Sequence, residues 1–288
     1  MYPILFEIGP LTIRGYGVML AISFLLGIYL ALKRSDERGL NQNHMINLSL
    51  IAIISSIIGA RIMYVIPHWD EFSGHPLDAI SPFQSSGAIG LLGLTMYGGF
   101  IGAIGSALIY LRWYKLPVWR ACDAFAPSIA LGIGITRIGC FLNGCCFGLP
   151  TESAIGIVFP AFSAAGSFYP DLPLHPAQLY NVVLGFGLFG LIVWLDKEDR
   201  FDGYIFSILL IIEPMTRFIV DFFRYYESSM TLTTIDGIGL SVNQGVSVLI
   251  CGVGFFLLGR LRNQSIHRKN KKQGHRRKPS PSSAQKTT

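Results

Sequence analysis

The sequence predicts an all-α, polytopic membrane protein with seven transmembrane helices, the N-terminus outside and the C-terminus cytoplasmic. Three observations carry that expectation. The 288 residues are 51% hydrophobic and only 14% charged, with a mean hydropathy of +0.48, whereas soluble domains carry about 25% charged residues. Apolar stretches of about 20 residues, the length that crosses ~30 Å of hydrocarbon, recur along the chain. The basic residues gather in alternate loops.

The spans are expected at 15–33, 46–66, 88–111, 122–143, 177–195, 203–223 and 242–261. The leading MYPILFEIGPLTIR lacks a basic region and a small-residue cleavage site, so the first span should stay as a helix. It opens with Arg14-Gly15-Tyr16-Gly17. Span two carries Gly59-Ala60-Arg61. Span three carries glycines 90, 93, 98, 99, 102 and 105, which report close helix packing. Span four ends in Arg137-Ile138-Gly139-Cys140 and then Asn143-Gly144-Cys145-Cys146. Span five begins at His175-Pro176, with proline where a first helical turn accepts it. Span six carries Glu213, Arg217 and Asp221. Together the spans make one membrane domain, 1–261. Residues 262–288 are basic, rich in serine and proline, and expected to form a disordered cytoplasmic tail.

Eighteen lysines and arginines fall on one side: Lys33, Arg34, Arg38, Arg112, Lys115, Arg120, Lys197, Arg200 and ten after Leu258. Loops 67–87 and 144–176 hold none. The basic side is therefore expected to be cytoplasmic. The net charge of +6 sits mostly in the tail, and no nucleic-acid-binding pattern is present.

Five arginines remain: Arg14, Arg61, Arg137, Arg217 and Arg224. An arginine inside a membrane costs about 3 kcal/mol on insertion scales. Arg61, Arg137 and Arg217 each fall ~9 Å below the outer end of their spans at 1.5 Å per residue. A single arginine there would snorkel to the interface or pair with a carboxylate. Three at one depth, with Asp221, Glu213 and Asp123 the main local acids, imply an anionic ligand. Guanidinium suits phosphate, and a phosphate at headgroup depth means a phospholipid. His175 and Gln178 can share one helix face at this level. For His175 the plain alternative is a histidine at a helix start. For Tyr97 it is aromatic packing beside Gly98-Gly99.

Of five cysteines, Cys140, Cys145 and Cys146 lie at the outer end of span four. Their spacing matches no common zinc pattern. Small, packable residues in a tight turn are the reading preferred over a metal site. A thiolate near Arg137 would have a lowered pKa.

Arg137-Ile-Gly-x-Phe-x-Asn143-Gly144-x-x-x-Gly148 resembles the signature of prolipoprotein diacylglyceryl transferases. So do Tyr16-Gly17, Gly59-Ala60-Arg61, Gly98-Gly99, Asp123-x-x-x-Pro127, His175-Pro176-x-Gln178-Leu179-Tyr180, Arg217-Phe218-x-x-Asp221-x-x-Arg224 and Leu240-Ser241-x-x-Gln244. The resemblance covers about 8–260, in order. It implies transfer of the diacylglyceryl group of phosphatidylglycerol to the lipobox cysteine of a prolipoprotein signal peptide, releasing glycerol 1-phosphate. It implies no cofactor or metal. The setting would be a bacterial cytoplasmic (inner) membrane, with the site facing the outer leaflet and a monomeric enzyme. Arg137 and Arg217 would bind the phosphate, with Arg61 and Arg224 as further charge. Asp221 would orient Arg217 or Arg224. Tyr16, Asn143, Gln178, Gly148, Gly98 and Gly99 would shape the headgroup pocket.

Three departures stand beside the resemblance. Tyr97 replaces a histidine of the family, Cys140 and Cys145 replace Asn and Glu, and Asn181 follows the His175 motif where Glu is usual. The phosphate side is intact and the proton-handling side altered. His175, Tyr97 or a cysteine thiol could substitute as base. The alternative is a paralogue that binds phospholipid with a changed acceptor or without catalysis.

Overall fold

The computed structural model describes residues 3–8, 11–79, 81, 93–198, 200–226, 231–235 and 238–276. A hairpin of β1 (Ile4–Ile8) and β2 (Leu11–Arg14) leads into α1 (Gly15–Glu37). There follow α2 (Gln42–Val65), the single-turn α3 (Trp69–Phe72) and a 3-10 turn at Pro76–Ala79. Then come α4 (Met96–Trp113) and α5 (Val118–Asn143). Next are β3 (Ile157–Val158), α6 (Ala164–Phe168), β4 (Pro173–Leu174), α7 (Ala177–Leu195) and α8 (Tyr204–Asp221). The hairpin of β5 (Thr231–Ile235) and β6 (Ile238–Ser241) delivers the chain to α9 (Val242–Arg276).

Among the described residues, five helices are long and apolar enough to cross a membrane: 15–37, 42–65, 118–143, 177–195 and the stretch 242–267 of α9. The seven spans expected from the sequence each overlap a helix, but two of these helices, α4 and α8, have 18 residues each and are not among the five, so seven crossings are not established. α4 begins at Met96 rather than 88, and residues 88–92 lie outside the described set. α8 carries Glu213, Arg217 and Asp221 within 18 residues. Among the described residues the fold is mainly helical but not purely so, because two hairpins, β1–β2 and β5–β6, and the two-stranded pair β3–β4 join or cap the helices. α9 also runs through Arg276, into the stretch expected to be an unstructured tail. Its Lys, Arg and Gln residues are good helix formers, and the next proline is Pro279.

α5 is the central helix: 44% of its apolar window is buried, against 17–22% for the other four candidate spans. It packs against α1, α7 and α8, while α2 pairs with α4 and α8 with α9. Small residues permit this. A Cβ on Gly185 of α7 would lie 2.9 Å from the Gly134 backbone of α5. In the α2–α4 seam, a Cβ on Gly98 would meet the Gly59 carbonyl at 2.3 Å, and one on Gly102 the Ser55 carbonyl at 2.2 Å. Without a hydrophobic drive between lipid-solvated helices, such backbone contact is what brings them together.

The two ends of α5 are chemically opposite. At its start, buried Asp123 accepts from the backbone N–H groups of Gly203 (2.7 Å) and Phe206 (2.8 Å), capping α8. Arg38 pairs with Asp123 and Asp196, and Arg34 with Asp196. At its far end, loop 144–176 folds over the bundle around its own core of Phe147, Phe159, Ala165 and Leu174.

Candidate functional site

The last two turns of α5 carry Arg137, Cys140 and Asn143, spaced three apart and so on neighbouring parts of one helix face. Gly144 ends the helix in the left-handed region (φ 70°), with its N–H on the Phe141 carbonyl. Cys146 also takes a left-handed φ, 60°. Two such residues in three reverse the chain. The Cys140, Cys145 and Cys146 sulfurs consequently lie within 4.8 Å of one another, and all three are free thiols.

Backbone hydrogen bonds fasten this loop to two other helices. Gly148 N–H donates to the His175 carbonyl at 3.0 Å, and Leu149 N–H to the Phe223 carbonyl at 2.9 Å. His175 N–H returns to the Leu149 carbonyl at 2.9 Å. Gly148 is required there, since a Cβ would come within 2.4 Å of the His175 carbonyl and 2.6 Å of that of Phe223. Gln178, fully buried, donates Nε2 to the Cys145 carbonyl at 2.8 Å, and its Oε1 has no partner among the described residues. The His175 Nδ1 lies 3.0 Å from the Tyr180 hydroxyl.

α8 lines up Glu213, Arg217 and Asp221 at four-residue steps on one face. Half-buried Glu213 is within electrostatic reach of both Arg217 and Arg137. Neither guanidinium makes a hydrogen bond or ion pair among the described residues. Tyr16, at the start of α1, is in reach of Arg137 and the three cysteines. Its Cα lies close to Gly139, where a Cβ would be 3.3 Å away. Asp221 is buried and accepts from the Tyr226 hydroxyl (2.8 Å) and Ser241 Oγ (3.4 Å). Arg224 Nη1 donates to the same Tyr226 oxygen at 3.0 Å, while its buried Nε has no partner among the described residues. Asp221 thus reaches Arg224 through Tyr226. Burial raises the Tyr226 phenol to about 12, so it is a proton donor at neutral pH. The neighbouring Cys140 and Cys145 thiols hold the Cys146 thiol below the ordinary thiol range, with Arg224 and Arg137 adding to the effect. Ser241 and Gln244 close a reciprocal cap on α9: Gln244 N–H donates to Ser241 Oγ (3.1 Å), and Ser241 N–H to Gln244 Oε1 (2.9 Å).

The structure therefore gathers Tyr16, Arg137, Asn143, Gly148, His175, Gln178, Arg217, Asp221 and Arg224 around one end of α5. Arg61 is placed differently. It donates from Nε to the Ala79 carbonyl (2.8 Å), from Nη2 to Asp78 (2.6 Å) and from Nη1 to Gly93 (3.2 Å), with its guanidinium 5.0 Å from the Phe72 ring centroid. Gly98 lies in the α2–α4 seam, and Gly99 beside it faces Ser56 and Ala60 of α2. Tyr97, on the first turn of α4, is 47% exposed. Glu213 and Tyr226 were not among the expected site residues. Glu213 announces itself only by standing four residues before Arg217. Tyr226 lies beyond the span, where no periodicity marks it.

Guanidinium donors with no partner among the described residues, beside a thiol cluster at one end of a bundle of long apolar helices, mark a multi-pass membrane protein in which these donors are free to meet an anionic group. A family model described as prolipoprotein diacylglyceryl transferase matches residues 3–260. The chain belongs to that family. A phosphatidylglycerol–prolipoprotein diacylglyceryl transferase of Clostridium tetani is 33% identical over 92% of this chain and 100% of its own length. A second transferase of that name from Clostridium perfringens is 35% identical over 77% of this chain and 82% of its own. One from Mannheimia succiniciproducens is 30% identical over 92% and 95%.

Proposed function

We propose that this protein transfers the diacylglyceryl group of phosphatidylglycerol to the lipobox cysteine of bacterial prolipoproteins, forming a thioether and releasing glycerol 1-phosphate. The observation that carries the reading is the pair Arg137 and Arg217. They come from two packed helices, share Glu213, and keep their donors unused by the described residues. A guanidinium presents five N–H donors in a fork that matches phosphate.

The acceptor sulfur attacks the glycerol carbon and the carbon–oxygen bond to phosphate breaks. Charge builds on the departing phosphate ester, where Arg137 and Arg217 stabilise it most in the transition state. Arg224 adds charge from its place beside the cysteine loop, held there by Tyr226 and Asp221. Tyr16, Asn143, Gln178 and Gly148 bound the headgroup space. Gly98 and Gly99 act at a remove, by fixing α2 against α4, and Arg61 by holding the carbonyls of Asp78, Ala79 and Gly93. His175 is the candidate proton acceptor on this side of the bundle, through the ring nitrogen not facing Tyr180. Tyr97 is the candidate on α4.

In this reading α4 and α8 also cross the membrane, for seven spans in all. The basic loops and the C-terminus face the cytoplasm, and the arginine end of α5 faces the outer leaflet of a bacterial cytoplasmic membrane. The enzyme acts as a monomer and draws lipid sideways from the bilayer. The test is thioether transfer to a lipobox peptide in phosphatidylglycerol vesicles. Arg137→Ala and Arg217→Ala are expected to lose it while staying folded, and wild-type rates in both would refute the reading. The altered residues Tyr97, Cys140 and Cys145 favour the second reading, a phospholipid-binding paralogue without this catalysis. Rescue of a host depleted of its own transferase would exclude that alternative.

A further inference from the structure

We infer that Cys140, Cys145 and Cys146 form a three-sulfur site for a thiophilic divalent cation of the zinc class, and that its open fourth position takes the thiol of the acceptor cysteine. The second half of this inference rests on the transferase reading above.

The C-x4-C-C spacing resembles no common zinc pattern, because such patterns count residues along regular turns. Here the backbone does something irregular. Gly144 and Cys146 both adopt left-handed conformations, and the second is not glycine. A left-handed residue with a Cβ costs roughly 1–2 kcal/mol, so the packing around it holds that geometry. The result is three sulfurs within 4.8 Å of one another. Zinc–sulfur bonds of about 2.3 Å in a tetrahedron put sulfurs roughly 3.8 Å apart, so the cluster needs to contract by no more than about 1 Å. The frame that holds it is already built, through Gly148 on His175, Leu149 on Phe223 and Gln178 on the Cys145 carbonyl.

Three protein ligands with one position left open is the pattern of catalytic zinc, whereas structural zinc has four. Three thiolates and a divalent cation leave one negative charge, and Arg137 and Arg224 stand beside Cys146 to balance it. The Gln178 side chain is fully buried against this loop, with Oε1 unused among the described residues. It is an acceptor for a group that arrives there. A thiol that coordinates such a cation is deprotonated outright. This offers the chain a route to a nucleophile that does not depend on the histidine replaced by Tyr97.

The step balances without any redox change. The acceptor S–H proton leaves to water as the sulfur coordinates. A sulfur lone pair then forms the carbon–sulfur bond to the glycerol carbon. The carbon–oxygen bond breaks, and its electron pair stays on the phosphate oxygen between Arg137 and Arg217. The neutral thioether, a poorer ligand than the thiolate, departs.

The experiment uses the full chain in detergent, reduced, with Co2+ as the probe. One Co2+ per chain is expected, with thiolate-to-cobalt charge-transfer absorption and tetrahedral visible bands, both erased by Zn2+. The Cys140→Ser/Cys145→Ser/Cys146→Ser variant should lose the absorption, and Cys251→Ser should keep it. Should the triple variant fold poorly, alkylation of the wild type decides: Zn2+ should protect three of the five thiols. A lipobox peptide should then intensify the charge-transfer band, and its Cys→Ser version should not. No stoichiometric Co2+, equal absorption in the triple variant, or no thiol protection would overturn the site. Equal spectra with the two peptides would overturn the open position. Lipid transfer at full rate in the serine variants would count against this inference alone. Absence of transfer in the cobalt-binding wild type would strike the transferase reading instead.

Discussion

Arg61 donates to the carbonyls of Asp78, Ala79 and Gly93, whereas Arg137, at the matching place in its own helix, makes no hydrogen bond among the described residues. Position along a span could show that both guanidiniums lie inside the membrane. It could not show that one of them holds a loop, because those carbonyls belong to a segment with no periodic pattern. The two arginines should therefore fail differently. Arg61→Ala removes three buried donors, each such loss being about 1–3 kcal/mol. It is expected to lower the melting temperature in detergent while transfer per folded molecule largely survives, which a paired melt and rate measurement checks. Tyr226→Phe should also destabilise, by about 1–3 kcal/mol, because buried Asp221 loses its 2.8 Å donor. In a melt from pH 6 to 9 that loss should stay constant, since the phenol titrates only near 12.

Helices were the legible elements, and what joins them was not. Long apolar stretches announced the spans. The pairs β1–β2, β3–β4 and β5–β6 have strands of two to five residues, too short for a two-residue alternation to stand out. The cysteine loop escaped for a related reason. Its shape depends on two left-handed residues and on partners in α7 and α8 that are remote in sequence. Gly148→Ala tests that dependence. Its Cβ would collide with two carbonyls, so the loop should detach from α7 and α8. Thiol alkylation should accelerate and lipid transfer should be lost. Gly98→Ala, in the α2–α4 seam, should instead lower the melting temperature and leave the alkylation rate of the cysteines unchanged.

At the scale of the molecule, α5 joins an ion-paired end to one that gathers arginines and thiols. Asp123 and Asp196 hold Arg34 and Arg38 at its start, and at its finish lie the thiols with Arg137 and Arg217, whose guanidiniums have no partner among the described residues. The count of basic residues proposes an orientation for that polarity, with the ion-paired end on the cytoplasmic side. A fluorescent protein fused after Arg276 should fluoresce, and alkaline phosphatase fused there should be inactive; the reverse would invert the proposed orientation. The transferase account itself meets its most direct test in one assay. Labelled phosphatidylglycerol and a lipobox peptide are mixed in vesicles with wild-type protein, Arg137→Ala or Arg217→Ala, all shown to melt alike. The account predicts thioether product and glycerol 1-phosphate from the wild type, and rates at least about a hundredfold lower from both variants. Undiminished transfer by both variants, or none by the wild type, would contradict it.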